Sequence, residues 1–573
     1  MLASLPNDVA VFNLLDWPQI APYYDELAAR PINTENIEQW LADWTQLASL
    51  LNERQARLQV ATTVNTEDKD AEAQYKTFLD MITPPMMTAE QALKQKLLDS
   101  TLSALNFDVP LTKLRAEAAL FREANVPLLT EESKLTIEYD QIFGSLTVEW
   151  EGEQVPLARL TPALHDPDRA LRERAWRLIR ARQMQEQPAL AVLWTKFMDV
   201  RKQIALNAGF SDYRAYRWEQ LLRFDYTPED CLRFHDAIEQ IAVPAASRLA
   251  RKRIAKLGIP TLRPWDTAVD TSDRAALHPY QQSSELIEKS KAIFQHVDPQ
   301  LGDYFNTMDA ENLLDLESRK AKAPGGYCTE FAVKHQPFIF MNGVGLHVDV
   351  QTLIHEAGHS FHVFEAARLP YLQQRGENMI PTEFAEVASM AMELLAAPYL
   401  TTQYGGFYTE AEAARARREN LEELIYFWPY MSLVDTFQHW IYENHDIARD
   451  IEACNDKWAE LFTRFLPEQD WSGLEDIRRV LWQRQLHIFE TPFYYIEYGV
   501  AQLGAAQIWA NSMRDQAGAV AAYRKALSLG GTVPLPELYQ TAGVRLSFDA
   551  DTLRPIVELI ERTINDMEEA EAV

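Results

Sequence analysis

Apolar residues recur at spacings of three and four through residues 35–126, as in "IEQWLADWTQLASLLNERQARLQV". That period predicts helix nearly throughout the stretch. Thr88 with Gln91 has the form of a capping box ahead of "ALKQKLLDSTLSAL". The period then drops to two. In "KLTIEYD", Leu135, Ile137 and Tyr139 alternate with polar residues, and in "SLTVEWE" Leu146, Val148 and Trp150 do the same, so a hairpin is expected over 134–151. Helical spacing resumes at "DPDRALRERAWRLIRARQ", and the aperiodic run 264–284 reads as a loop. A second β region is expected near 325–342, with "GGY" as a turn and "PFIFMN" as a strand. The pattern as a whole is that of a mainly α protein without internal repeats, ending in an acidic tail, "DMEEAEAV", expected to fray.

Directly after the second β region comes "VDVQTLIHEAGHSFHVFEAARLP". Asp349 is placed to cap a helix starting near Val350, with Leu353, Ala357, Phe361 and Phe364 as its apolar stripe. His355 and His359 then project together from adjacent turns, about 5.4 Å apart along the axis, close enough to bind one ion. Glu356 lies one step round the helix, where it can take a proton from water at that ion. His362 shares the face but lies about 10.5 Å along the axis from His355. Metal bonds of about 2.1 Å do not span that distance, so His362 reads as a supporting or packing residue.

A catalytic zinc site needs a third protein ligand. The stretch "MIPTEFAEVASMAMELLAAPYL" predicts a helix capped by Thr382 and stopped by Pro398, and it offers Glu383, Glu386 and Glu393. Glu383 in the first turn is explained by the helix dipole. Glu386 and Glu393 are seven apart on one face, and helical geometry does not choose between them.

Composition adds limits. With 573 residues, 47% hydrophobic and 11% aromatic, the chain has ample material for a large interior and more length than one simple core takes. Fifty-five Lys+Arg against 84 Asp+Glu give a net charge of −29, which disfavours nucleic acid and anionic membrane surfaces as partners. Cys231, Cys328 and Cys454 form neither a disulfide framework nor a CxxC pair. The N-terminus carries Asp8 and Asp16 where a secretory leader would be apolar, and no apolar run is long enough to span a bilayer. A cytoplasmic protein is expected.

The segments "HEAGHSFH", "TEFAEVAS", "APGGYC" and "PFIFMN" together resemble the thimet oligopeptidase / oligoendopeptidase F family of zinc peptidases, and the oligoendopeptidase branch in particular. "VEWEGEQVPLARLTPALHDPDRALRERAW", "VDTFQHWIYENH" and "FETPFYYIEYGVAQLG" extend the resemblance over most of the chain. It implies two helical lobes around a deep substrate channel with one zinc ion at its floor. Residues 1–195 would form the N-terminal lobe and 196–573 the catalytic region. The resemblance makes Glu386 the third zinc ligand beside His355 and His359, which leaves Glu393 either to orient a histidine or to serve as structural helix surface. The spacing from His359 to Glu386 exceeds the family's usual one, so an insertion around 368–378 is implied. The resemblance also points to His487, Tyr494 and Tyr498 for transition-state stabilisation, with Tyr495 as the runner-up; the other reading of these rings is core packing. Gly325, Gly326 and Tyr327 would bind substrate, the glycines permitting close backbone approach. An extended peptide would lie beside the "PFIFMN" strand.

The expected function is zinc-dependent hydrolysis of internal bonds in short unstructured peptides, with Glu356 as the general base. The alternatives are a zinc metallocarboxypeptidase with the same core, or a peptide-binding scaffold whose zinc is structural. Structural sites are usually closed by four protein ligands, which argues against the scaffold.

Overall fold

The longest helices begin at strong caps. Thr409 and Glu412 exchange the two hydrogen bonds of a capping box at the start of Glu410–Glu443. Thr227 and Asp230 do the same for Pro228–Leu257, which ends at Gly258 with φ +62°. These two helices pack side by side, and Tyr495–Ser512 lies against the first of them. The computed structural model describes residues 5–6, 9–272 and 274–572. Among the described residues its helices run from Val9–Phe12 to Ala550–Ala572 with only five short strands, so the chain is mainly α. One large core reaches from Leu135 to Ile564. A second joins N-terminal residues from Leu5 to Leu114 to Ala332, Tyr371, Leu372 and Met379.

Several expectations need correction. "KLTIEYD" is helical, within Val126–Gly144. Leu135 and Tyr139 face the large core, whereas Ile137 turns to a small cluster with Tyr75 and Leu79. A helix buried on two sides carries apolar residues off its main stripe, and over seven residues this imitates a strand. The hairpin lies further on: β1 (Thr147–Trp150) pairs antiparallel with β2 (Glu153–Pro156). Glu151 (φ 55°) and Gly152 (φ 90°) between them form the two-residue turn with both φ positive that favours such hairpins. Thr88 is not a cap: it lies inside Thr83–Ser100, its hydroxyl donating to the Pro84 carbonyl at 3.3 Å. Within 264–284 the only helix among the described residues before Ser283 is a single turn, Pro264–Asp266. The acidic tail continues the last helix to Ala572, while Asp8 and Val573 lie outside the described residues.

The second β region is a three-stranded sheet of β3 (Leu314–Glu317), β4 (Tyr327–Phe331) and β5 (Gln336–Gly343), in the order β3-β5-β4. β5 pairs parallel with β3 and antiparallel with β4, Tyr327 opposite Phe340. The "PFIFMN" strand is thus central, with both edges taken and Pro337–Met341 buried, as its unbroken apolar run requires. No further strand joins β4 among the described residues. β3 and β4 are both edge strands, so a peptide joining the sheet would add at one of them, and not beside "PFIFMN".

The HEAGH helix spans His347–Ala366. Asp349 caps it from inside the first turn. Its carboxylate accepts from the backbone N–H groups of Val344 (2.8 Å), Gly345 (2.7 Å) and Leu346 (2.8 Å), and from the Tyr280 hydroxyl at 2.7 Å. Thr382 also lies inside its helix, as the first residue of Thr382–Ala396, but makes no capping bond. The connection between the two helices folds as Leu372–Arg375 and Glu377–Met379. It is pinned to the N-terminal helices, with Lys113 donating to the Met379 carbonyl and Gln374 Nε2 to the Asn106 carbonyl at 3.0 Å.

Candidate metal centre and active site

The HEAGH helix and the helix Thr382–Ala396 meet at Gly358. A Cβ on Gly358 would come within 2.5 Å of the Ala388 carbonyl oxygen and the Ser389 Cα, so only glycine permits the approach. That contact brings Glu386 under the two histidines. Its Oε2 lies 3.4 Å from His355 Nε2 and 3.6 Å from His359 Nε2. One ligand atom from each of the three residues lies within 4.8 Å of the other two. Two imidazoles and a carboxylate so placed suit a divalent ion of the zinc type.

Two of the three donors, His355 and Glu386, are held from behind. His355 Nδ1 is 2.8 Å from Glu393 Oε1, which orients the ring and leaves Nε2 for the cluster. Glu386 Oε1 accepts from the Tyr494 hydroxyl at 2.6 Å, and Oε2 from Ser389 Oγ at 3.1 Å. Burial works against charge on both partners, but the two histidines hold Glu386 down to about 2. Burial also lowers His355, yet Glu386 and Glu393 outweigh it and raise the imidazole well above its usual value. His359 is pulled down to about 4, chiefly by burial.

Glu356 is 6% exposed, and burial pushes its carboxyl up to about 7. It faces the start of β4. A Cβ on Gly326 would lie 3.5 Å from Glu356 Oε1 and 3.3 Å from Thr352 Cγ2. Gly325 has φ +92° and no atom within 4 Å of its notional Cβ, so there glycine serves conformation, not space. Tyr327 stacks on Phe340 at 4.8 Å and hydrogen bonds Thr63 Oγ1 at 2.6 Å, tying β4 to the helix Ile37–Val64. Its hydroxyl is committed away from the cluster.

His362 stays outside the cluster. It is 3% exposed, packs edge-on against Phe384, and is lowered to about 3 by burial. Glu383 accepts from the Tyr226 hydroxyl at 2.5 Å and lies 3.7 Å from Arg223, in a structural network.

Of the C-terminal residues, Tyr494 reaches Glu386, as described, while Tyr498 Oη lies 3.3 Å from His487 Nε2. Gln485 Nε2 is 3.1 Å from His487 Nδ1, and Gln485 Oε1 accepts from the Tyr430 hydroxyl at 2.9 Å. Tyr495 packs edge-on against His487 at 5.1 Å and is 6% exposed, a supporting ring more than a substrate contact. The turn that launches these tyrosines is strained: Phe493 has φ +66°. Arg223 Nη2 holds it, donating to the Phe493 carbonyl at 2.5 Å and to Glu497 at 2.6 Å. Sequence reasoning missed Arg223, Ser389 and Gln485. Only Ser389, three residues after Glu386 on a helix, carried a local signal.

Comparison with known proteins gives these residues a context. The chain is 22% identical over 317 residues to an oligoendopeptidase F homolog of Mycoplasma pneumoniae, a match that spans 52% of this chain and about half (49%) of that protein. The solved structure of PZ peptidase A with inhibitor 2 superposes with a TM-score of 0.91 at 26% identity, over 99% of both chains. A putative oligoendopeptidase F superposes at 0.90 and 27%, over 96% of this chain and 97% of that one. Another, from Bacillus anthracis str. Ames, shares the fold at 0.87 and 22%, over 97% of both chains. The sequence profile of peptidase family M3 matches residues 163–558, well over half the chain, and the chain belongs to that family.

Proposed function

We propose that the chain is a zinc-dependent endopeptidase of short, unstructured peptides. One observation carries the reading: the donor atoms of His355, His359 and Glu386 converge beside Glu356, at the start of the open edge strand β4. Zinc held there would acidify a water and polarise the scissile carbonyl. Glu356 takes the proton from the attacking water and returns it to the leaving amine; a buried carboxylate of raised pKa suits both steps. Tyr498, backed by His487, is the donor for the oxyanion. Tyr494 instead steadies the ligand Glu386. The peptide lies extended along β4, its backbone completing the edge, with Gly326 leaving room against Glu356. Three donors with no fourth protein ligand in the cluster, among the described residues, favour catalysis over a closed structural site. The similar proteins are peptidases and oligoendopeptidases, which supports peptides as the substrate class.

Digestion of a random peptide mixture, read by mass spectrometry, tests this. Internal cleavage of peptides of roughly 5–20 residues is expected, lost with a chelator and restored by zinc, with folded proteins left intact. Stepwise loss of C-terminal residues would make the enzyme a carboxypeptidase. Binding without cleavage would make it a scaffold.

A further inference from the structure

We propose a second metal site, buried behind the turn that carries the tyrosines and built from Cys231, Asp435 and His439, with His235 beside it. It goes beyond the peptidase reading and does not depend on it. The helices Pro228–Leu257 and Glu410–Glu443 lie side by side, and each offers two residues four apart, Cys231 with His235 and Asp435 with His439. One donor atom from each of Cys231, Asp435 and His439 lies within 4.8 Å of the other two. Cys231 and Asp435 are 0% exposed, and His235 and His439 are 2% exposed.

The second observation is a set of stranded polar atoms. Asp435 Oδ2 lies 2.9 Å from His235 Nε2 and 3.4 Å from His439 Nε2, yet none of these atoms, nor Asp435 Oδ1, has a hydrogen bond. Buried donors and acceptors left in that state are costly, and they are rarely retained without a partner. The opposite ring nitrogen is engaged in each case, His235 Nδ1 at 3.1 Å from Thr436 Oγ1 and His439 Nδ1 at 3.3 Å from Arg214. Coordination through His439 Nε2 would move the ring hydrogen to Nδ1, so Arg214 would turn wholly to Glu443, with which it already pairs.

Thiolate, imidazole and carboxylate together select a zinc-type dication. The two anionic ligands neutralise its charge, which offsets part of the penalty for burying it. Without an ion, burial keeps the Cys231 thiol well above its usual pKa; a dication in contact reverses that. The site has no role in the chemical step. His439 packs edge-on against Phe493 at 5.2 Å, and the neighbouring Gln438 accepts from the Phe493 N–H, so the ion braces the strained turn ahead of Tyr494.

Burial also sets how the ion exchanges. With no more than 2% exposure at any of the four residues, the ion must enter as the helices pack. The side chains of His355 and His359 are 19% and 20% exposed, open to a chelator.

The test is elemental analysis of the full chain before and after chelation under native conditions. Two zinc equivalents are expected, falling to one as activity is lost. The chain carrying both His355→Ala and His359→Ala should hold one equivalent, resistant to chelator. Protein produced in cobalt medium should show a thiolate-to-cobalt charge-transfer band that survives Cys328→Ser and Cys454→Ser and vanishes with Cys231→Ser. The cobalt spectrum of the unmutated chain decides the matter even where Cys231→Ser fails to fold. Chelated protein free of metal, together with no thiolate band, would overturn the site. Persistent hydrolysis by the double histidine variant would instead count against the catalytic assignment.

Discussion

At the scale of single residues, the geometry separates two glutamates that the sequence leaves equivalent. Glu386 lies below both Nε2 atoms, while Glu393 meets the opposite nitrogen of His355. Glu386→Ala should therefore abolish tight zinc binding, and Glu393→Ala should weaken it about 10–100-fold, as loss of a ligand's orienting partner does. Equilibrium dialysis of each variant would show which carboxylate holds the ion. The tyrosines divide in the same way. Tyr494→Phe removes the 2.6 Å bond to Glu386 and should loosen zinc. If its hydroxyl meets the oxyanion only in the transition state, Tyr498→Phe should lower kcat about a hundredfold with KM little changed. An effect of Tyr498→Phe confined to KM would make it a binding residue. His355, Glu356 and His359 were legible because a helix maps sequence spacing directly onto a face. The choice of Glu386 rested on resemblance, because both glutamates share a face and only tertiary contact at Gly358 distinguishes them.

Among the elements, sequence patterns were reliable where one face is buried and misleading where two are. The segment 134–140 of the helix Val126–Gly144 has the pattern of a strand because Ile137 packs away from Leu135 and Tyr139. The apolar run of β5 marks a strand but not its place; unbroken burial from Pro337 to Met341 means a central strand, leaving β3 and β4 as the edges. The two glycines before β4 give a test of that assignment. Gly326→Ala puts a methyl 3.3 Å from Thr352 Cγ2 and 3.5 Å from Glu356 Oε1, and should cut kcat/KM while leaving the melting temperature nearly unchanged. Gly325→Ala has open space but a φ of +92°, and should cost about 1 kcal/mol of stability while activity is largely kept. Thermal melts beside steady-state kinetics on both variants would show whether the effects separate this way.

Across the whole molecule, the pairings that matter join residues far apart in the chain, such as Arg223 with Glu497 and Lys113 with Met379, and no local pattern announces them. Among the described residues no helix is long and apolar enough to cross a membrane. Burial of Asp140 sets one pH dependence. Its carboxyl is pushed up to about 6 and that of the neighbouring Glu490 is raised with it, so ionising the pair costs the folded state more than the unfolded one. Stability should therefore fall as pH rises from about 4 to about 6 and level off above. Asp140→Asn should raise the melting temperature at pH 8, with the gain gone by pH 4. A gain that persists at pH 4 would place its origin in packing. The central claim concerns how binding and chemistry are divided within one helix, and a single comparison on the intact chain reaches it. Zinc content at the chelator-accessible site and peptide turnover are measured side by side for the natural chain and for Glu356→Gln. The account predicts one equivalent of zinc at that site in both, with nearly all turnover lost in the variant, because the donors are intact and the proton acceptor is gone. Loss of that zinc in Glu356→Gln, or turnover close to that of the natural chain, would contradict it.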